Sequence, residues 1–233
     1  MSKAWLTIPS ARPLDELEPV LEKWKLMGYG IALVRQGEPT KLAELLIPTQ
    51  KYLGWAASIN LLAGVVLTVD PDCDWCVGGG DDTFPDPSKT ADDIAAECSE
   101  YFESFQDFGG CRTFGVMQPV GDSKNWPNSQ IKNFAGSPWL GREWCGRAYQ
   151  GKGPLFPYHH SWADEELQNV ATKYCVFWQR PDLTQPHMHH TRPGGMPRPS
   201  FANMIDQDYK LQEGLFRERK AANWPGSEPL TNG

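Results

Sequence analysis

Residues 76–87, Cys-Val-Gly-Gly-Gly-Asp-Asp-Thr-Phe-Pro-Asp-Pro, restrict the fold more than any other stretch. The apolar approach through residues 65–69 and 75–77 reads as buried strand. Three glycines and two adjacent carboxylates then read as the turn at its end. In an α/β sheet, ligand chemistry concentrates at such strand ends. Asp81 and Asp82 repel each other unless positive charge lies between them, and a divalent cation held by oxygens is the usual solution. A solvated acidic turn whose side chains hold the local backbone is the competing reading.

The chain before this turn reads as strand, loop, helix, strand. Residues 4–8 are β-prone and stop at Pro9, and residues 10–13 form a polar loop. Leu14, Leu17, Val20, Leu21 and Trp24 then share one helical face, which Gly28 ends, and residues 29–35 are a mostly apolar strand. A right-handed parallel unit puts the first loop at the carboxyl edge of the sheet. There the backbone of Pro9, the Ser10 hydroxyl and the Arg12 guanidinium could hold a nucleotide. Arg12 would equally suit a surface pair with Asp15 or Glu16. No Gly-x-Gly-x-x-Gly and no Walker sequence follows the strand, which argues against dinucleotide oxidoreductases and P-loop enzymes. Residues 39–53 are amphipathic, and residues 56–63 form a helix of small and apolar residues. In it Ser58 and Asn60 either turn toward a ligand or serve as a cap and a buried amide. Cys73 and Cys76 have zinc-ligand spacing but no second pair, so a structural zinc is not expected.

After the turn, residues 92–108 predict a helix with Tyr101, Phe102, Phe105 and Phe108 on one face, and residues 111–117 predict a strand. Residues 119–157 are rich in glycine, proline and tryptophan. Trp126, Trp139 and Trp144 lie there near Lys124, Arg142, Arg147 and Lys152, as in an irregular binding segment. Asp164 has the character of a helix cap, followed by Glu165 and Glu166. A carboxylate fixed there could also take a proton from an acceptor hydroxyl. Residues 174–178 predict a strand, and three of the five histidines fall in residues 187–190. His187 and His189 share a face if that segment is extended, which suits either one cation or a solvated polar loop. At 233 residues and 40% hydrophobic content the chain can bury one full core. The net charge of −7 gives no overall grip on polyanions but leaves room for a local basic channel. Scattered cysteines and the lack of a long apolar run predict a soluble, cytoplasmic protein with reduced thiols and no membrane contact.

The Pro9-Ser10-x-Arg12 loop, the Gly80-Asp81-Asp82 turn, Asp164-Glu165-Glu166-Leu167 and His187-x-His189, in that order, resemble the GT-A class of nucleotide-sugar glycosyltransferases. The chain looks most like the small glycosyltransferase-like proteins of bacteriophages, and Asp206-Gln207-Asp208-Tyr209 resembles their tail. The resemblance runs over residues 5–216 and implies a GT-A-like (Rossmann-like) α/β fold. This is a single domain with a central mixed sheet flanked by helices, an irregular acceptor-side segment and a C-terminal tail. The nucleotide-sugar half would be residues 1–118, the acceptor and catalytic half 119–200 and the tail 201–233.

The same resemblance implies Mn2+ or Mg2+ on Asp82 with His189 or His187, and a metal or donor-sugar role for Asp81. It implies a UDP-sugar donor held by Pro9, Ser10, Arg12, Ser58 and Asn60. Asp164, or failing it Glu165, would be the base of an inverting transfer. Trp139, Arg142 and Trp144 would receive the acceptor, for which a hydroxymethylated pyrimidine in phage DNA is the analogy. A sugar nucleotidyltransferase and a non-catalytic sugar- or nucleic-acid-binding module stay open as alternatives.

Overall fold

The computed structural model describes residues 3–104, 111–119, 135–191, 194–200 and 202–231. β1 (Ala4–Ser10) and β2 (Gly30–Arg35) pair in parallel, with Trp5 opposite Gly30 and Ser10 opposite Arg35. α1 (Leu14–Leu26) crosses between them and buries Leu17, Val20, Leu21 and Trp24 as its spacing predicts. A Cβ on Gly30 would fall 2.4 Å from the Trp5 ring, so only glycine lets the indole lie flat on β2. β3 (Leu45–Pro48) extends the sheet beyond β2, inside the stretch that reads as merely amphipathic.

Residues 65–69 are not strand. They are the last turns of α2 (Trp55–Val69), whose Ile59, Leu62, Ala63 and Val66 repeat at helical spacing and are fully buried. Their β-branched composition misleads because a helix packed on a sheet is apolar over much of its surface. The strand entering the acidic turn is therefore only β4 (Trp75–Val77), parallel to β1. Cys73 and Cys76 are buried free thiols, raised well above the usual thiol range by the hydrogen bond of Cys73 with Cys76 and of Cys76 with Cys145, and by burial.

α3 (Ala91–Glu103) opens with a capping box between Thr90 and Asp93. Phe105, Phe108, Lys124 and Trp126 lie outside the described residues. The described part of the segment expected to be irregular holds β6 (Trp139–Gly141) and α4 (Arg142–Gly151). β5 (Val116–Pro119), α5 (Ala163–Lys173) and β7 (Phe177–Arg180) complete a seven-stranded sheet ordered β3-β2-β1-β4-β6-β5-β7. β6 alone runs antiparallel to its neighbours, so the sheet is mixed. The C-terminal tail carries a helix: α6 (Ala202–Ala221) docks through Phe216 and a buried pair between Arg219 and Glu166, which also accepts from the Tyr158 hydroxyl. Among the described residues no helix is long and apolar enough to cross a membrane.

Candidate metal and nucleotide site

β1 and β4 are neighbouring parallel strands, so the loops leaving their carboxyl ends share one edge. The turn after β4 folds tightly back: a Cβ on Gly80 would lie 2.5 Å from Asp82 Oδ1, and one on Gly79 2.7 Å from Thr83 Oγ1. Thr83 locks it by donating to the Gly80 carbonyl at 2.7 Å. Asp81 points into the protein, where it accepts from Ser10 Oγ and Arg12 Nε, each at 2.8 Å. Arg12 also bonds Glu16 and the Pro197 carbonyl, and Arg35 donates to Ser10 Oγ and the Arg12 carbonyl. Burial raises the Asp81 carboxyl, and Arg12 only partly offsets it. Both Asp81 oxygens are engaged, so Asp81, Ser10 and Arg12 form a buried brace between the two loops. The metal or donor-sugar role expected of Asp81 would require one of these bonds to be shared or given up.

Asp82 faces the other way. Its Oδ1 lies 3.1 Å from His187 Nε2, and its Oδ2 lies 3.8 Å from an otherwise unpartnered, buried Arg12 NH2. Burial pushes its carboxyl up, but the hydrogen bond and charge of His187, with Arg12 behind, outweigh this and hold it below the usual carboxylate range. The contact is built from backbone. Met188 N–H donates to the Asp82 carbonyl at 2.7 Å, Phe84 N–H to the Pro186 carbonyl at 2.9 Å, and Thr83 bridges His187. His189 stands further off: its ring centroid lies 5.3 Å from that of His187, and its Nδ1 pairs with Thr191 Oγ1.

Among the described residues no group of three or more histidine, cysteine or acidic side chains is arranged to hold a metal. Asp82 and His187 make a two-ligand set. Ligands at about 2.1 Å on adjacent octahedral corners stand about 3 Å apart, as these two atoms do. A carboxylate and an imidazole therefore fit two corners of a cation's shell and leave the remaining corners to ligands from outside the chain.

Beside this pair, Pro9, Ser10, Ala11, Val34, Gln36, Thr49, Tyr52 and Leu53 line a small cleft. The Tyr52 hydroxyl lies 2.5 Å from His160 Nδ1. Burial, helped by neighbouring His159, lowers the His160 imidazole to about 4, so it is neutral near pH 7 within the field of Asp82 and His189. His159 pairs through Nδ1 with Asp208 of α6 and accepts a close approach from Gly54, where a Cβ would lie 2.1 Å from its carbonyl. Asp164 is half-buried, and burial pushes its carboxyl up to about 6, against the bond from Glu165 N–H and the pull of His187. It is not the helix cap. Trp162, at φ 75°, holds that position, and Asp164 sits in the first turn.

No protein-family model and no curated protein matches the sequence. Among solved structures, a mannosyltransferase from Pyrobaculum calidifontis, in complex with GDP-Man and Mn2+, superposes with a TM-score of 0.56 at 12% identity. The match covers 95% of this chain and 64% of that one, so the chain spans less than two thirds of the mannosyltransferase. The fold is GT-A-like. The catalytic domain of Drosophila β1,4-galactosyltransferase 7, in complex with xylobiose, gives a TM-score of 0.49 at 13% identity over 89% of this chain and 80% of that one.

Several other expected site residues turn out to build this GT-A-like scaffold. Ser58 is fully buried and donates to the Gly54 carbonyl one turn back. Asn60 uses both ends of its amide on the Leu155 backbone, at 2.9 and 3.0 Å. Trp139 and Trp144 have no exposed surface and donate to Gln185 and the Pro154 carbonyl, so neither can stack on an acceptor. Arg142 gathers the Leu67, Asp70 and Cys73 carbonyls at the end of α2. Glu165 turns toward Lys220 of α6. Conversely, Tyr52 lines the cleft, and His160, His159 and Asp208 are linked behind it, without any of the four having been singled out as a ligand. The available signal was the His159-His160 pair just after Pro157, the first two of the chain's five histidines.

Proposed function

We propose that the chain is a metal-dependent glycosyltransferase that moves a sugar from a nucleoside diphosphate, read here as uridine diphosphate, to an acceptor hydroxyl. The observation that carries this reading is the Asp82–His187 contact at the carboxyl end of β4, next to the Pro9–Tyr52 cleft. Asp82 and His187 would hold Mn2+ or Mg2+, which when bound neutralises charge on the departing diphosphate. His189 stands by as a further ligand. The base would lie over the mouth of the cleft, which is itself too small to enclose it, against Pro9, Ser10 and Tyr52, with Arg12 setting the field behind Asp82. Asp164 would remove the acceptor proton as the acceptor oxygen bonds the anomeric carbon. The anomeric carbon–oxygen bond to the diphosphate breaks in the same step, and its electron pair leaves with the diphosphate, inverting the configuration. A carboxyl near 6 is largely ionised at neutral pH while keeping useful proton affinity.

The acceptor is read as a neutral hydroxyl. The hydroxymethylated base implied by the phage-like resemblance would enter the site only flipped out of its duplex.

Thermal unfolding with a panel of nucleotides, with and without manganese, tests the reading. Stabilisation by uridine diphosphate that requires manganese supports transfer, as does slow hydrolysis of a UDP-sugar. A preference for triphosphates points to a nucleotidyltransferase, and no response to any nucleotide overturns the reading in favour of a binding module.

A further inference from the structure

The acidic turn carries a third carboxylate that is neither of the pair. Asp86 is 5% exposed, and it joins two segments far apart in sequence. Its Oδ1 accepts from the Ser88 N–H at 2.7 Å and the Ser88 hydroxyl at 2.5 Å. Its Oδ2 accepts from the Thr184 N–H at 2.5 Å and the Thr184 hydroxyl at 3.0 Å. Four donors converge on one carboxylate, all from the turn that bears Asp82 or the segment that leads into His187.

The segment from β7 to His187 has little regular structure of its own. Beyond Thr184 it is held by the Gln185–Trp139 bond and by the two backbone bonds that join Phe84 to Pro186 and Met188 to Asp82. Asp86 is the only anionic side chain of the turn directed at it upstream of His187 among the described residues.

We infer that Asp86 is a positioning residue that fixes His187 against Asp82 and so sets how tightly the divalent cation is held. This rests on the metal reading above. Partners one shell out from a ligand orient it, and their loss typically weakens metal binding about 10–100-fold. Asparagine has the same shape but must aim an NH2 at either the Ser88 or the Thr184 N–H, so one side of the clasp opens.

Manganese affinity in the presence of uridine diphosphate, measured from the free-ion spin-resonance signal, and amide exchange at Phe84 and Met188 test this in the full chain. Asp86→Asn is expected to weaken manganese binding about 10–100-fold and to speed exchange at both amides. If turnover is measured, the manganese requirement rises while the rate at saturating manganese stays close to wild type. Thr184→Val, which removes only the 3.0 Å bond, shifts the same quantities in the same direction by a few-fold, and covers the case in which Asp86→Asn does not fold. Wild-type manganese affinity in both variants overturns the inference, whether or not exchange quickens. A wild-type protein that binds no manganese with the nucleotide overturns the metal reading, and this inference with it.

Discussion

The Asp82 and Asp164 carboxyls are shifted in opposite directions by their surroundings. Asp82 is kept ionised by His187 and Arg12, and Asp164 is lifted to about 6 by burial. Asp82→Asn should lower manganese-dependent nucleotide affinity on the order of 100-fold, about 2.7 kcal/mol, measured by calorimetry. Asp164→Asn should leave that affinity unchanged and reduce turnover by about 10²–10⁴-fold. The wild-type rate should rise with pH through about 6, and the variant should lack this limb. The acidic pair and the distant histidines were legible as residues, because charge repulsion and extended spacing are local properties. What Asp81 does was not: its orientation into the Ser10–Arg12 brace depends on a strand neighbour that no spacing along the chain reveals.

At the level of elements, α1, β1 and β2 could be read from periodicity, since each buries the stripe its residues spell out. α2 was cut short because its last turns are β-branched, and β6 with α4 was hidden in a segment dense in tryptophan and glycine. Trp139 and Trp144 fill the core, a destination composition cannot tell from a binding face. Arg142 illustrates the same confusion. A cation near tryptophans looks like a ligand contact, yet it closes the end of α2 by binding three carbonyls. Arg142→Met should destabilise the fold by about 3 kcal/mol in chemical denaturation and leave nucleotide affinity, corrected for the folded fraction, unaltered.

For the molecule as a whole, two half-buried groups give opposing pH dependence. The folded Asp164 carboxyl is raised to about 6, so between the ordinary carboxylate range and 6 the native state holds the extra proton and stability falls as pH rises. The folded His160 imidazole is lowered to about 4, so from its ordinary value of 6.5 down to 4 the unfolded state holds the extra proton and stability falls as pH drops. Over about pH 4–6 the two slopes oppose each other. Asp164→Asn should therefore stabilise the protein at pH 7 by at most about 3 kcal/mol and expose a loss on acidification that the wild type conceals. Urea titrations across that range would show it.

The bond between the turn after β4 and the segment after β7 carries a temporal consequence. A chain emerging from the ribosome has its acidic corner early, but the imidazole that completes it arrives only after the far flank of the sheet has been made. The proposed cation site is thus incomplete until folding is nearly done, and ion-dependent protection from proteolysis would report a finished molecule rather than a half-built one.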